Sequence, residues 1–397
     1  MKKLLRAKQF NPGDKKVLES EELLKEITFK VHKFTPRQRP SNPANVAIFP
    51  HFSEFGSELI ESIYTLPMLL NGQYRGKYSI VLGWYGRAYL YKHLVDEFWE
   101  IDKEHQYLRD YCRAFHHSSK NLKKAEKMAS KYGHVVDTPQ EYGLEILFPR
   151  LHVCPACQSP VIFSEFYQQC FKCGQCYHRV GIYNEIKYAK ERLAVWPPPP
   201  SQEKLAYVDK YLKPNSVGVT ARHRTCYGRN LPKEFYEQLV LRLEKMGYNP
   251  IWIGEEETTL RAPYDRIIDY CLTEDARDLE TTLALVSKLK FTVQFWTAST
   301  RLAGLVGTPW LLFESPDQIW GIGQEGIRLN LCTKGKGKLV LAHFVNVAQD
   351  QAKAVDVVER AVREMEAGNY DDLIGMCESD YVVEDMRRQN QARVGSI

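Results

Sequence analysis

The chain has 397 residues, 44% hydrophobic and 26% charged, with a formal net charge of +5. These fractions are those of a soluble globular protein, and the length suits two domains with an extra module. So mild a charge does not imply polyanion binding by the molecule as a whole, and no apolar run approaches the roughly 18 to 20 residues that span a membrane. The opening MKKLLRAKQF has the charge of a signal peptide without its apolar stretch. The ten cysteines then read as reduced thiols or metal ligands, and the expected compartment is cytoplasmic.

Residues 1–44 hold eleven Lys or Arg and five Asp or Glu up to position 40. The pattern reads as a solvated arm with one helix near Ser20 to Glu26; the alternative is an arm for an anionic partner, nucleic acid or lipid head groups. Residues 45–150 alternate between strand and helix signals. NVAIFP is a first buried strand, and a helix beginning near Ser57 has Leu59, Ile60, Ile63, Leu66 and Leu70 on its apolar face. KYSIVLGW follows as a second strand, then AYLYKHLVDEFWEI as a second helix. Such alternation predicts a doubly wound parallel sheet, in which the loops after the strands carry chemistry. His51, Glu54 and Glu58 fall in the first of those loops. Glu58, a turn into the helix, reads as a capping or surface acid.

Residues 151–180 contain Cys154-Pro-Ala-Cys157 and Cys170-Phe-Lys-Cys173, separated by twelve residues. Two such pairs of thiolates close a tetrahedral zinc site. PVIFSEFYQQ between them alternates like a hairpin strand, so a zinc ribbon is expected. Cys176 and His178 lie near enough to replace the fourth ligand. The ribbon is either a structural clip for a segment too short to have its own core, or a surface for a nucleic acid or other acceptor.

Residues 181–214 include the stiff Trp196-Pro-Pro-Pro-Pro-Ser201 hinge and one helix. Residues 215–350 form a second strand-and-helix series. SVGVT runs into Arg222, His223 and Arg224; the helix PKEFYEQLVLRLEKMG follows; NPIWIG ends in Glu255, Glu256 and Glu257. RIIDYCLTE reads as another strand and DLETTLALVSKL as a helix. FTVQF then leads to Thr297, Ala298, Ser299 and Thr300 at a helix start, with Gly307 closing that helix before PWLLF. Hydroxyls bunched there either cap an ordinary helix or hold a phosphate, and arginines after the first strand suit a phosphate clamp. A strand near KLVLAHF and the helix QAKAVDVVERAVREMEAG, capped by Gly368, follow. Residues 351–397 are a helical tail, with the helix expected to cross back to the first half.

VGVTARHRTCYGRNLPKEFYEQLVLRL, NPIWIGEEE and WTASTRLAGLVGTPWLLFESP together resemble the donor-binding half of GT-B glycosyltransferases, in particular the ADP-heptose:lipopolysaccharide heptosyltransferase type. Trp296, Ala298 and Arg301 stand where that family has Asp, Gly and His, and the zinc ribbon is outside its pattern. The resemblance implies two Rossmann-like domains with the ribbon inserted, and a transferase moving sugar from a nucleotide-sugar to an acceptor hydroxyl with inversion. It further implies a diphosphate held by Arg222, Arg224 and the N–H groups of residues 297–300, and ribose held by Glu255 or Glu256. The base would be Glu54, near where the family keeps its catalytic acid, or His51. No D-x-D occurs, so no divalent metal is expected on the diphosphate. Two other readings stay open: a glycosyltransferase whose acceptor is a nucleic acid, such as a hydroxymethylated base in viral DNA, and a zinc-ribbon nucleic-acid-binding protein without enzymatic activity.

Overall fold

Val46–His51 and Tyr78–Gly83 are short continuous apolar runs, and each becomes a strand with every residue buried, as a parallel strand covered on both faces requires. A computed structural model of the chain describes residues 27–52, 58–59, 62–63, 66–103, 120–136, 161–163, 167–170, 176–178, 195–223, 230–256, 259–295, 300–313, 339–341 and 351–368. The strands of the first half are β1 (Phe29–Lys33), β2 (Val46–His51), β3 (Tyr78–Gly83), β4 (Glu97–Ile101) and β5 (His134–Val135). Three short strands follow, β6 (Val161–Phe163), β7 (Tyr167–Cys170) and β8 (Cys176–His178). The second half supplies β9 (Ser216–Thr220), β10 (Asn249–Trp252), β11 (Ile268–Asp269), β12 (Thr292–Phe295), β13 (Trp310–Phe313) and β14 (Leu339–Leu341). The helices are α1 (Leu66–Asn71), α2 (Lys120–Ala129), α3 (Gln202–Tyr207), α4 (Lys233–Lys245), α5 (Leu279–Lys288), α6 (Thr300–Val306) and α7 (Gln351–Glu366).

The first sheet has the order β1-β4-β3-β2-β5. Its strands run parallel except β1, which pairs antiparallel with β4 from Phe29 opposite Ile101 to Lys33 opposite Glu97. Two expectations are corrected here. Phe29–Lys33 is a sheet strand and not part of a solvated arm, and EFWEI is a strand where the sequence suggested a helix. Glu97 and Glu100 look like a solvent face in the sequence, yet both are buried because distant residues satisfy them. Tyr78 Oη and Trp99 Nε1 each donate to Glu97 at 2.8 Å, and Arg39 pairs with it. Glu100 takes the Gly86 N–H at 2.7 Å and pairs with His32. Buried carboxylates persist only with such partners.

The second sheet is parallel throughout, in the order β11-β10-β9-β12-β13-β14. Numbered along the chain, that is the 3-2-1-4-5-6 order of a doubly wound Rossmann-like sheet. The order reverses between β9 and β12, where such sheets leave a crevice beyond their carboxyl ends. RIIDYCLTE yields only the two residues of β11 before a 3-10 turn at Tyr270–Leu272. Helix α4 covers this sheet with Phe235, Tyr236, Leu239, Val240 and Leu243. Helix α7 does not cross back to the first half. It packs on α4 through Val355, Val358 and Val362, and Arg242 of α4 binds Asp356 at 2.8 Å as well as Glu359. Gly307 and Gly368, at φ of +81° each, end α6 and α7, as expected of left-handed C-terminal glycines.

The third sheet, β6-β7-β8, is antiparallel throughout. Its register sets Val161 opposite Cys170, so the chain enters β6 beside the point where it leaves β7. Cys154, Cys157 and Cys173 lie outside the described residues, and among the described residues no group of His, Cys, Asp or Glu has metal-binding geometry. Among the same residues no helix is long and apolar enough to cross a membrane.

The two parallel sheets meet at their carboxyl edges. Leu59 follows β2 and Leu302 lies in α6 after β12, and both belong to one apolar cluster with Leu66, Leu90, Leu279 and Leu283. The proline segment runs along this joint: Tyr89 Oη donates to the Pro198 carbonyl, and the Ser201 N–H donates to Glu280 Oε1 at 3.0 Å. Ser201 also caps α3, accepting from the Lys204 N–H.

Candidate functional site

His51 is the last residue of β2 and is completely buried. Its Nδ1 lies 2.9 Å from Tyr91 Oη. Tyr91 is held by Phe98 of β4, with the rings stacked 5.1 Å apart at 10°. The Tyr91 hydroxyl donates to Glu58 Oε1 at 2.9 Å. Glu58 has helical backbone just beyond β2 and is as buried as His51, so its reading as a capping or surface acid is corrected. Arg87 Nε stands 3.7 Å from Glu58 Oε2, and Arg87 Nη2 donates to Glu255 Oε1 at 3.2 Å. A continuous polar path therefore runs from the end of β2 in the first sheet to the loop after β10 in the second.

The local backbone explains how Arg87 reaches both acids. After β3 the chain turns at Gly86, whose φ of +79° lies in the left-handed region. Gly86 is fixed on both sides: its N–H donates to Glu100 and its carbonyl accepts the Leu279 N–H at 3.3 Å. A Cβ at this position would fall on the Arg277 backbone carbonyl, so only glycine lets the sheets approach this closely. Asp278 caps α5 immediately beyond, accepting from the Glu280 N–H at 3.2 Å, and Lys92 meets Glu280 at 3.4 Å. Behind this joint a groove of about 420 Å³ opens between β1, β4 and the start of α5, with His32, Tyr89, Lys92 and Arg277 among its walls. Burial, with the Glu280 charge beside it, pushes the Tyr89 phenol above its ordinary range, so Tyr89 stays a neutral donor.

Of the residues singled out in the sequence, His51 and Glu255 are joined through this path. Glu256 turns away from it and pairs with Arg261 at 3.2 Å and Arg277 at 3.5 Å. Arg222 sits two positions beyond β9, beside the strand-order reversal, and is 4% exposed. Its backbone bridges Thr259, and its Nη1 donates to Asn230 Oδ1 at 3.4 Å. The neighbouring Tyr236 phenol is raised by burial, with Arg222 pulling the other way. Thr300 is the first residue of α6. Glu54, Arg224, Thr297, Ala298 and Ser299 lie outside the described residues.

Tyr91 was missed in the sequence because its segment reads as a helix, and Arg87 lies in the turn just before it. A signal was available: Gly86 followed by Arg87, just past an apolar strand, is turn chemistry of the kind that places a charge at a sheet's carboxyl edge. Chemically, the arrangement offers a buried imidazole tied through a phenol to a carboxylate. An arginine shared with the facing sheet stands 3.7 Å from that carboxyl group.

No protein-family model matches the chain, and no curated protein does. Among solved structures it is similar to E. coli ADP-heptose lps heptosyltransferase II at 13% identity and a TM-score of 0.42, over 81% of this chain and 99% of that one. It is similar to a glycosyl transferase family 9 protein from Veillonella parvula DSM 2008 at 10% identity and a TM-score of 0.45, over 82% and 98%. E. coli heptosyltransferase WaaC with ADP matches at 13% identity and a TM-score of 0.41, over 80% and 99%.

Proposed function

We propose that the chain is a nucleotide-sugar-dependent glycosyltransferase of GT-B type that moves a sugar onto an acceptor hydroxyl with inversion, without a divalent metal on the diphosphate. The observation that carries this reading is the meeting of two parallel sheets at their carboxyl edges, bridged by Arg87 and Glu255. Each edge is where an α/β sheet binds ligands, so a donor on one faces an acceptor on the other. The sequence resemblance of residues 215–320 supports placing the donor on the second sheet.

In this reading Arg222 and Arg224 hold the diphosphate, joined by backbone N–H groups of Ala298, Ser299 and Thr300 beside Thr297. Cationic donors there stabilise the leaving group as charge develops. Glu255 or Glu256 receives the ribose hydroxyls. Glu54 takes the proton of the acceptor hydroxyl, with His51 as the second candidate for that role. Direct displacement requires a base opposite the leaving group, and in this reading the first sheet supplies it. Cys154, Cys157, Cys170 and Cys173 bind one structural zinc, a reading supported by the β6–β7 register that brings the two ends of the hairpin together.

Thermal shift with nucleoside diphosphates, without added divalent metal, tests the donor side. The melting temperature should rise with diphosphate concentration. Arg222→Ala or Arg224→Ala should weaken that binding by about 10- to 150-fold, the equivalent of roughly 1.5–3 kcal/mol for a charged hydrogen bond. Unchanged affinity in both variants refutes the clamp. Retention on DNA that falls steeply with salt, without any diphosphate response, favours nucleic-acid binding.

A further inference from the structure

Strand β1 turns one of its two faces into the groove behind the joint. Successive residues of a strand point to opposite sides. Lys30, His32 and, in the same alternation, Phe34 line the groove, while Phe29 packs on the other face against Trp99. The groove's volume of about 420 Å³ lies within the roughly 300–1,000 Å³ of small-molecule sites. Two of its groups serve no contact in the fold. Among the described residues the half-buried Tyr85 side chain makes no ring contact or hydrogen bond, and the Lys30 ammonium makes no ion pair.

The other walls decide what chemistry fits. Lys30, Lys92 and Arg277 are the groove's three cations, set against the four carboxylates of Glu100, Glu274, Asp278 and Glu280. That balance leaves no positive excess for a phosphate-rich ligand. Glu100 already takes the Gly86 N–H and His32, and Glu280 takes the Ser201 N–H and Lys92. An ionised carboxylate offers about four lone-pair sites, so both still accept from a further donor. The fitting ligand therefore donates to carboxylates, accepts from an ammonium and lays an apolar face on a free aromatic ring. A sugar does all three: its hydroxyls donate and accept, and its C–H face packs on a ring.

We propose that this groove is a binding site for an uncharged saccharide, held by the Tyr85 ring and the Lys30 ammonium. It is separate from the path that runs from His51 to Glu255, none of whose members lines it. Its walls come from both halves, β1 and β4 on one side and residues 274–280 on the other. A bound sugar therefore also ties the halves together at Gly86, which lines the groove and accepts the Leu279 N–H. The site does not depend on the proposed transfer reaction.

The test is binding of the full chain to a glycan array at low and high salt, followed by calorimetric titration of the strongest binder. An uncharged glycan should be retained at both salts. Tyr85→Ala and Lys30→Ala should each weaken it by about 3- to 10-fold. Lys33→Ala, on the opposite face of the same strand, should leave the affinity unchanged. The sugar should also slow exchange of the Leu279 amide. An array that retains no glycan overturns the proposal. So does an affinity unchanged in both Tyr85→Ala and Lys30→Ala, and so does retention that fades steeply with salt or is displaced by single-stranded DNA. No nucleotide-sugar enters any arm. A chain that binds saccharide in the groove yet transfers none would lose the proposed function and keep this site.

Discussion

Replacing Gly86 by alanine should pry the two sheets apart, and Gly76 provides a matched control. Both glycines have left-handed backbone, at φ of +79° and +80°. A Cβ at Gly76 meets nothing within 4 Å, whereas one at Gly86 falls on the Arg277 carbonyl. The conformational cost of alanine, roughly 1–2 kcal/mol, is common to both. Only Gly86→Ala must also move the chain away from α5. That stretches the Leu279–Gly86 hydrogen bond, worth about 0.5–1.5 kcal/mol, and the charged Arg87–Glu255 hydrogen bond, worth about 1.5–3 kcal/mol. Loss of the two together should make Gly86→Ala about 2–4 kcal/mol worse than Gly76→Ala. Native-state hydrogen exchange reads this locally: the Leu279 amide should exchange about 30- to 1,000-fold faster in Gly86→Ala than in Gly76→Ala. Equal exchange in the two variants would refute the close contact of the sheets at Gly86.

Asp96→Ala should cost about 3 kcal/mol in urea unfolding, because it strips acceptors from the Ser79 N–H, the Thr35 hydroxyl and Arg37 at once. Arg266 donates to Glu244 at 2.8 and 2.6 Å and holds its carboxyl below the usual range. The unfolded chain therefore binds that proton more readily, and the contribution is present at neutral pH and lost as the pH falls through the folded pKa. Arg266→Ala should be slightly less stable than wild type at pH 7, with the difference vanishing in acid; a difference that grows in acid contradicts the assignment. Protein purified without chelator should contain one equivalent of zinc by elemental analysis, and Cys157→Ser or Cys173→Ser should abolish it. A metal content unaffected by either variant removes these cysteines from the site.

The parallel sheets were legible where burial and residue type agree. NVAIFP, KYSIVLG, SVGVT and FTVQF are short runs rich in β-branched and aromatic residues, and all became interior strands. The two missed strands share one cause. β1 has lysines at both alternating registers, and β4 carries two glutamates, so neither shows an apolar period. What makes them strands is partners far along the chain: Arg39 and Tyr78 for Glu97, His32 and Gly86 for Glu100. Such nonlocal satisfaction leaves no local pattern. The site was legible in the same measure. His51 and Glu255 follow apolar strands and so fall on carboxyl edges, which a sequence can indicate. Glu58, Tyr91 and Arg87 become a connected path only once β2, β3 and the facing sheet are assembled.

Sugar transfer itself is tested most directly by offering the full-length chain a panel of nucleotide-sugars and following release of the nucleoside diphosphate. The account predicts that at least one is turned over without added Mg²⁺ or Mn²⁺. General-base catalysis is worth roughly 10²–10⁴ in rate, so Glu54→Gln should lower kcat by about that factor while the donor still raises the melting temperature. Near-normal turnover in Glu54→Gln would move the base to His51. A chain that releases no nucleoside diphosphate from any donor, and whose melting temperature none of them raises, would contradict the assignment as a glycosyltransferase.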